Sequence, residues 1–138
     1  MKKTQKRLGN KGFSLVELIV VIAIMAVLVG VLAPTLIKNI EKSRVSKDLQ
    51  NLDEIKGSIT TVLADETYYT TLSNNEVTIS TDGTISVKTD TTGVAPALSK
   101  ELTDTIGKTK VQMTSKDLKG KTITFKVENG TVGDYTTK

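Results

Sequence analysis

The chain has no cysteine, no histidine and no tryptophan, and only two prolines in 138 residues. Without cysteine there is no disulfide framework, so an exported domain must be held together by packing alone. The lack of both cysteine and histidine removes the usual zinc constellations and the thiol and imidazole nucleophiles. Aromatic residues amount to 4%, two Phe and three Tyr. A core must therefore be built from Val, Ile, Leu and the methyl groups of Thr. The length suits one domain of ordinary size, with about 100 residues left for a soluble module once a long apolar segment is set aside.

The formal charge of +4 does not point to a phosphate-binding surface. Lys2, Lys3, Lys6, Arg7 and Lys11 place five positive charges and no acid in the first twelve residues, and removing them leaves 14 basic against 15 acidic side chains. A short basic leader on a nearly neutral remainder is the charge pattern of membrane targeting. Whether nucleic acid is a partner is left open by such a remainder.

From Phe13 to Ile37 the only polar side chains are Ser14, Glu17 and Thr35. A helix of roughly 20 apolar residues crosses a bilayer, and this segment reaches that length. A cleavable secretory signal has an apolar stretch of about 7 to 15 residues without a carboxylate, so this segment is too long and wrongly decorated. A simple single-pass anchor fits the length but gives no reason for Glu17, which costs an estimated 2 to 3 kcal/mol well inside a span. An acid in such a span usually has a partner, and the sequence within the segment offers none, so the partner is expected from elsewhere. If the chain is cut between Gly12 and Phe13, the new ammonium of Phe13 in a neighbouring copy becomes a partner that cancels two charges, each costly in an apolar interior. Gly12 suits such a cut, since its missing side chain lets an enzyme approach the backbone.

The stretch KGFSLVELIVVIAIMAVLVGVLAP (Lys11 to Pro34) resembles the class III signal of type IV prepilins and the related pseudopilins. Leader, glycine, acid and proline all stand at matching spacing, and Ser14 stands where the family often has Thr. The resemblance implies cleavage after Gly12 by a membrane-embedded prepilin peptidase, N-methylation of the Phe13 amine, and a role for Glu17 in recruitment and alignment during assembly. It also implies a cytoplasmic assembly ATPase and a platform membrane protein as partners.

Pro34 removes one helical donor and crowds the preceding turn. With Gly30 four residues earlier, it marks a helix break where the rod can bend or loosen; simple termination at Pro34 is the alternative. Helical periodicity resumes in Leu36, Ile37, Ile40, Leu49, Leu52, Ile55, Ile59, Val62 and Leu63, one apolar stripe on a polar helix. Around Lys42 to Lys47 the stripe is interrupted, which reads as an exposed waist. A helix from about Phe13 to Glu66 would be about 80 Å long. Gly57 within it either permits close approach of a strand or is merely tolerated at about 1 kcal/mol relative to Ala.

Beyond Glu66 the chain turns Thr-rich and strand-like. Residues 67–75 read as a loosely structured stretch, with Tyr68 and Tyr69 docking it or facing solvent. Glu76–Ser80 and Thr84–Lys88 read as a hairpin around TDGT, with Val77, Ile79, Ile85 and Val87 on one face. Leu98, Leu102 and Ile106 suggest a short helix closed by Gly107. Lys110–Thr114, Lys121–Val127 and Thr131–Tyr135 read as further strands, one apolar face covered by the stripe from Leu49 to Leu63.

The expected fold is α+β: a long N-terminal helix, half hydrophobic and half amphipathic, packed on a small antiparallel β-sheet. The expected organisation is a basic leader (1–12), a transmembrane and assembly half of the helix (13–37), an amphipathic half (38–66) and a globular β-module (67–138). Asp53, Glu54, Asp65 and Glu66 read as a solvated helix face, Asp82 and Asp117 as turn residues and Asp90 as a loop residue. None has metal-loop spacing, and no phosphate loop, triad or paired-carboxylate motif is present. No catalytic, cofactor or metal residue is assigned, and an enzyme is not expected. The expected function is a structural subunit, a type IV pilin cleaved and methylated at Phe13 and polymerised with itself into a surface filament, membrane-bound before assembly and extracellular after it. The alternatives are a pseudopilin of a type II secretion or DNA-uptake machine and, from another class, a monomeric membrane-anchored binding module.

Overall fold

A computed structural model describes residues 12–88, 94–108 and 110–138. The leader charges up to Lys11, and Asp90, lie outside these residues. The chain divides into two compact units, Met1–Asn39 and Ile40–Lys138, and the boundary falls inside the first helix.

Helix α1 runs Leu15–Leu63 and contains Pro34 without ending there, so the reading in which Pro34 terminates the helix does not hold. The proline has no N–H to give to the carbonyl four residues back. That carbonyl belongs to Gly30. In the second unit the buried face of α1 is Asp48, Leu52, Ile55, Ile59, Val62 and Leu63, steps of three and four that keep one side inward. Leu49, expected on the stripe, is instead exposed, and the stripe position beside it is taken by Asp48.

The helix stops earlier than its polar-apolar pattern suggests. Asp65 adopts an extended backbone and its side chain accepts from the Thr67 amide at 2.8 Å, which caps a second helix, α2, Glu66–Leu72. Residues 66–72 are therefore helical rather than loosely structured. An aspartate N-cap satisfies one of the orphan amides of the first turn, and Leu72 is buried in the core.

The sheet has four antiparallel strands in the order β2-β1-β3-β4. These are β1 Glu76–Ile79, β2 Ile85–Lys88, β3 Ile123–Glu128 and β4 Thr131–Thr137. Val77 faces Val87 and Ile79 faces Ile85 across the hairpin, and all four are buried. Together with Ile123, Phe125, Val127 and Val132 they form one core cluster with the inward face of α1. The alternation that marks these strands in sequence thus has the physical cause expected of it, one dry face and one wet face. Asn129 and Gly130, with φ of 49° and 73°, form the two-residue β3–β4 turn, matching the mirror-image turns that suit the twist of a hairpin. The Tyr69 ring lies over this turn, 2.6 Å from where a Cβ at position 130 would sit.

Helix α3, Ala95–Ile106, places Leu98 and Leu102 in the core and ends at Gly107 in the left-handed conformation. Its Ser99 hydroxyl accepts from the Val87 amide on β2 at 3.2 Å, covering part of that sheet edge. Lys110–Thr114 is not a strand. Among the described residues its one link to the hairpin backbone is the Val111 amide donating to Gly83 at 3.0 Å, and its path is set by burial of Val111 and by an anchor on α1 described below.

Two glycines give opposite predictions. Gly83 has φ of 85°, and a Cβ there would lie 2.5 Å from the Val111 carbonyl oxygen. Backbone cannot yield as a flexible side chain does, so Gly83→Ala adds overpacking to left-handed strain and should lower stability by about 3 kcal/mol in a denaturant titration. Gly57 has open space around it, which removes the close-approach reading and leaves tolerance. Gly57→Ala should stabilise the chain by about 1 kcal/mol in the same assay.

Candidate functional site

The N-terminal segment carries most of the residues singled out in the sequence. Gly12, Phe13 and Ser14 precede the first helical residue, Leu15. Phe13 is 92% exposed. Ser14 is the N-cap residue, and its backbone amide donates to Glu17 Oε2 at 2.8 Å. Glu17 is the third residue of the helix, so this is the carboxylate half of a capping box, S-x-x-E. The acid also lies in the first turn, where the helix dipole favours negative charge.

This corrects one expectation. Glu17 does have a partner within its own chain, and that partner is a main-chain amide. The three-residue step from Ser14 to Glu17 is the sequence signal of this cap.

Beyond the cap, the large apolar side chains from Leu15 to Ile37 are exposed around the helix. The helix is long and apolar enough to cross a membrane. An α-helix apolar all round has no wet side. Gly30 and Pro34 lie in this segment, and among the described residues a Cβ at position 30 would touch nothing.

A second group of polar side chains lies in the other unit, and it was not legible in the sequence. Asp48 is fully buried on α1. Its carboxylate accepts from the Thr114 amide (2.9 Å to each oxygen), from the Thr114 hydroxyl (3.1 Å) and from the Ser115 amide (2.7 Å). One further pair of turns back, Glu41 accepts from the Lys116 amide at 2.7 Å, while Arg44 stands 3.6 Å from its other oxygen. Two acids seven residues apart on one helix face thus hold three successive amides.

Burial pushes the Asp48 carboxyl up, but the Ser115 hydroxyl and amide, with the amide and hydroxyl of Thr114, outweigh that and hold it below the ordinary aspartate value. The buried Ser115 hydroxyl acts on the carboxylate without reaching full hydrogen-bonding geometry, and it has no other partner among the described residues.

Asp82, in the β1–β2 turn, is drawn down to about 2 by the Thr84 hydroxyl and amide and by Lys110. It borders a groove of about 280 Å³ that Ile79, Val111, Met113 and Leu118 also line. Asp53, Glu54 and Glu66 are exposed as expected. Among the described residues no three acids converge as a metal site would require.

Comparison with known proteins bears on the first of these two places. Residues 7–33 match the prokaryotic N-terminal methylation motif. Over 131 residues the chain is 31% identical to prepilin peptidase-dependent protein A of Clostridium perfringens (strain 13 / Type A), an alignment that covers 91% of this chain and 83% of that protein. No solved structure matches.

Proposed function

Because the chain belongs to the type IV pilin and pseudopilin family, we propose that it is a filament subunit, cut after Gly12, N-methylated on Phe13 and polymerised through the apolar half of α1. The observation that carries this reading is the exposed, all-round apolar surface from Leu15 to Ile37 directly behind an exposed Phe13 and a capped acid. Such a surface needs lipid or other copies of itself around it. The N-terminal helix and the motif fit a membrane-anchored precursor, and assembly exchanges lipid for neighbouring helices at little hydrophobic cost.

In this reading each part of the chain has one task. The leader (1–12) orients the precursor through its positive charges, which stay on the cytoplasmic side. The stretch 13–37 spans the bilayer and then packs in the filament, and 38–66 carries the module 67–138. Glu17 is satisfied by the Ser14 amide before cleavage, and the new Phe13 ammonium of an adjacent copy then supplies the countercharge. Gly30 and Pro34 share one missing hydrogen bond, a weak point where the helix can loosen as neighbours pack. Prepilin peptidase makes the cut, and the assembly ATPase and platform protein drive extrusion, since force must come from outside the subunit.

Mass spectrometry of the mature protein tests this directly. The expected N-terminus is Phe13 carrying one extra methyl group, in material sheared from the cell surface as filaments. A mature chain beginning after Ala33, or one retaining its first twelve residues in assembled fibres, would overturn it. A methylated Phe13 in a protein that stays in the membrane fraction would point to the pseudopilin role instead.

A further inference from the structure

The outward face of the sheet is more ordered than solvation requires. One row of paired residues crosses all four strands as Ser86, Thr78, Thr124 and Thr136. The neighbouring row carries Lys88, Glu76 and Lys126, alternating in sign. The outer hydroxyls turn inward, Ser86 towards the Thr78 carbonyl and Thr136 towards the Thr124 carbonyl, each at 3.4 Å. The hydroxyls of Thr78 and Thr124 have no such partner among the described residues. Lys126 is exposed and makes no ion pair among them. Glu76 meets only the end of Lys88, at 4.0 Å.

From this arrangement we propose that the outward sheet face is a self-complementary docking surface for a second copy of this chain. A two-fold axis parallel to the strands, passing between β1 and β3, sets β1 of each copy over β3 of the other. Glu76 of each copy then lies opposite Lys126 of the other, twice over. Thr78 lies opposite Thr124, and Ser86 opposite Thr136, so each unpaired hydroxyl gains a hydroxyl partner. Self-complementarity of this kind is what an isologous contact demands. Opposite charges across the contact fix its register, and the sterically stiff Thr side chains are ordered before contact.

The size of the face sets how it works. Four strands about 4.8 Å apart, with outward residues about 7 Å apart along each, cover on the order of 300 Å². A stable pair needs roughly 800 Å² from each partner. One contact is therefore weak, and it becomes effective only when repeated along two polymers, where each bond holds the next pair at high effective concentration. The lateral association rests on the filament reading above, but the contact itself does not.

The test separates the two. The natural chain has no cysteine, so full-length protein carrying Ser86→Cys, mixed in detergent with full-length protein carrying Thr136→Cys, reports the contact through a short thiol cross-linker. Cross-linked dimer is expected, reduced about tenfold or more when Lys126→Glu is added to both chains, because two like pairs then oppose each other. Adding Glu76→Lys to the same chains should restore it. In assembled filaments the same three variants should bundle, separate and bundle again, and 1 M salt should separate the first. Absence of the cross-link, or a cross-link indifferent to the charge arrangement, overturns the proposal. A charge-dependent cross-link in a protein that forms no filaments supports the contact and counts only against the polymer.

Discussion

Replacing Glu17 with alanine is expected to remove the chain from filaments, lowering incorporation by about a hundredfold or more. Loss of one member of a buried charge pair leaves the other unpaired, at roughly 3 to 5 kcal/mol. The alanine variant alone does not separate the proposed charge pairing from capping, because it also removes the cap on the Ser14 amide. Glu17→Gln separates them. Glutamine at the third helical position still accepts from the N-cap amide, but it cannot neutralise an ammonium. Cleavage after Gly12 should proceed in the glutamine variant, since the start of α1 is unchanged, while incorporation should fall nearly as far as in alanine. Quantitative immunoblotting of sheared filaments against the membrane fraction reads both. Glutamine-bearing subunits that polymerise at the natural level would reassign Glu17 to capping alone.

Asp48→Ala should strongly destabilise the second unit while leaving it folded. It strands the buried Ser115 amide and the half-buried Thr114 amide and hydroxyl, each of which costs about 1 to 3 kcal/mol when unsatisfied and shielded from water. A combined loss of roughly 3 to 5 kcal/mol is large against the 5 to 15 kcal/mol that typically separates a folded domain from its unfolded state. Asp48→Asn should be almost as damaging, because its amide nitrogen adds a donor among donors. Native-state amide exchange should show the Thr114 and Ser115 amides losing protection in both variants.

The same group gives a pH dependence of definite sign. Asp48 is held below its ordinary value of 3.8 in the folded chain, so the unfolded chain takes up its proton first as the solution is acidified. The contribution is complete above about pH 4 and is lost as pH falls through the depressed folded value. The alanine variant should lack this acid-sensitive component. Convergence of the two stability curves at low pH is the measurement to make.

Comparing sequence with structure shows where periodicity suffices. The strands β1, β2 and β3 are legible because Val77, Ile79, Ile85, Val87, Ile123, Phe125 and Val127 alternate with Thr, Ser and Lys, and a two-sided sheet imposes that period. Helix α3 is legible from Leu98 and Leu102 and from the glycine that ends it. The N-terminal motif is legible because charge, glycine, acid and apolar length coincide within some 25 residues.

What escapes this reading has no period to show. Helix α2 is too short for one, and its polar sequence ETYYTTL resembles a loop until Asp65 is seen capping it. Lys110–Thr114 has the composition of a strand, yet both the sheet order and the anchor on α1 leave it outside the ladder. Asp48 is hidden for a different reason. An acid among helical polar residues reads as solvated, and its partners are main-chain amides, which every residue except proline possesses. Nothing in residue identity marks Thr114 and Ser115 as the takers.

The span between Asp48 and its partners also has a meaning in time. The acid and the amides it grips are 66 and 67 residues apart. A ribosome adding roughly 5 to 20 residues per second needs on the order of several seconds to make that interval. Throughout it the nascent helix carries a carboxylate whose receptors have not yet been synthesised, so this anchor forms only once Ser115, about five-sixths of the way along the polypeptide, has emerged.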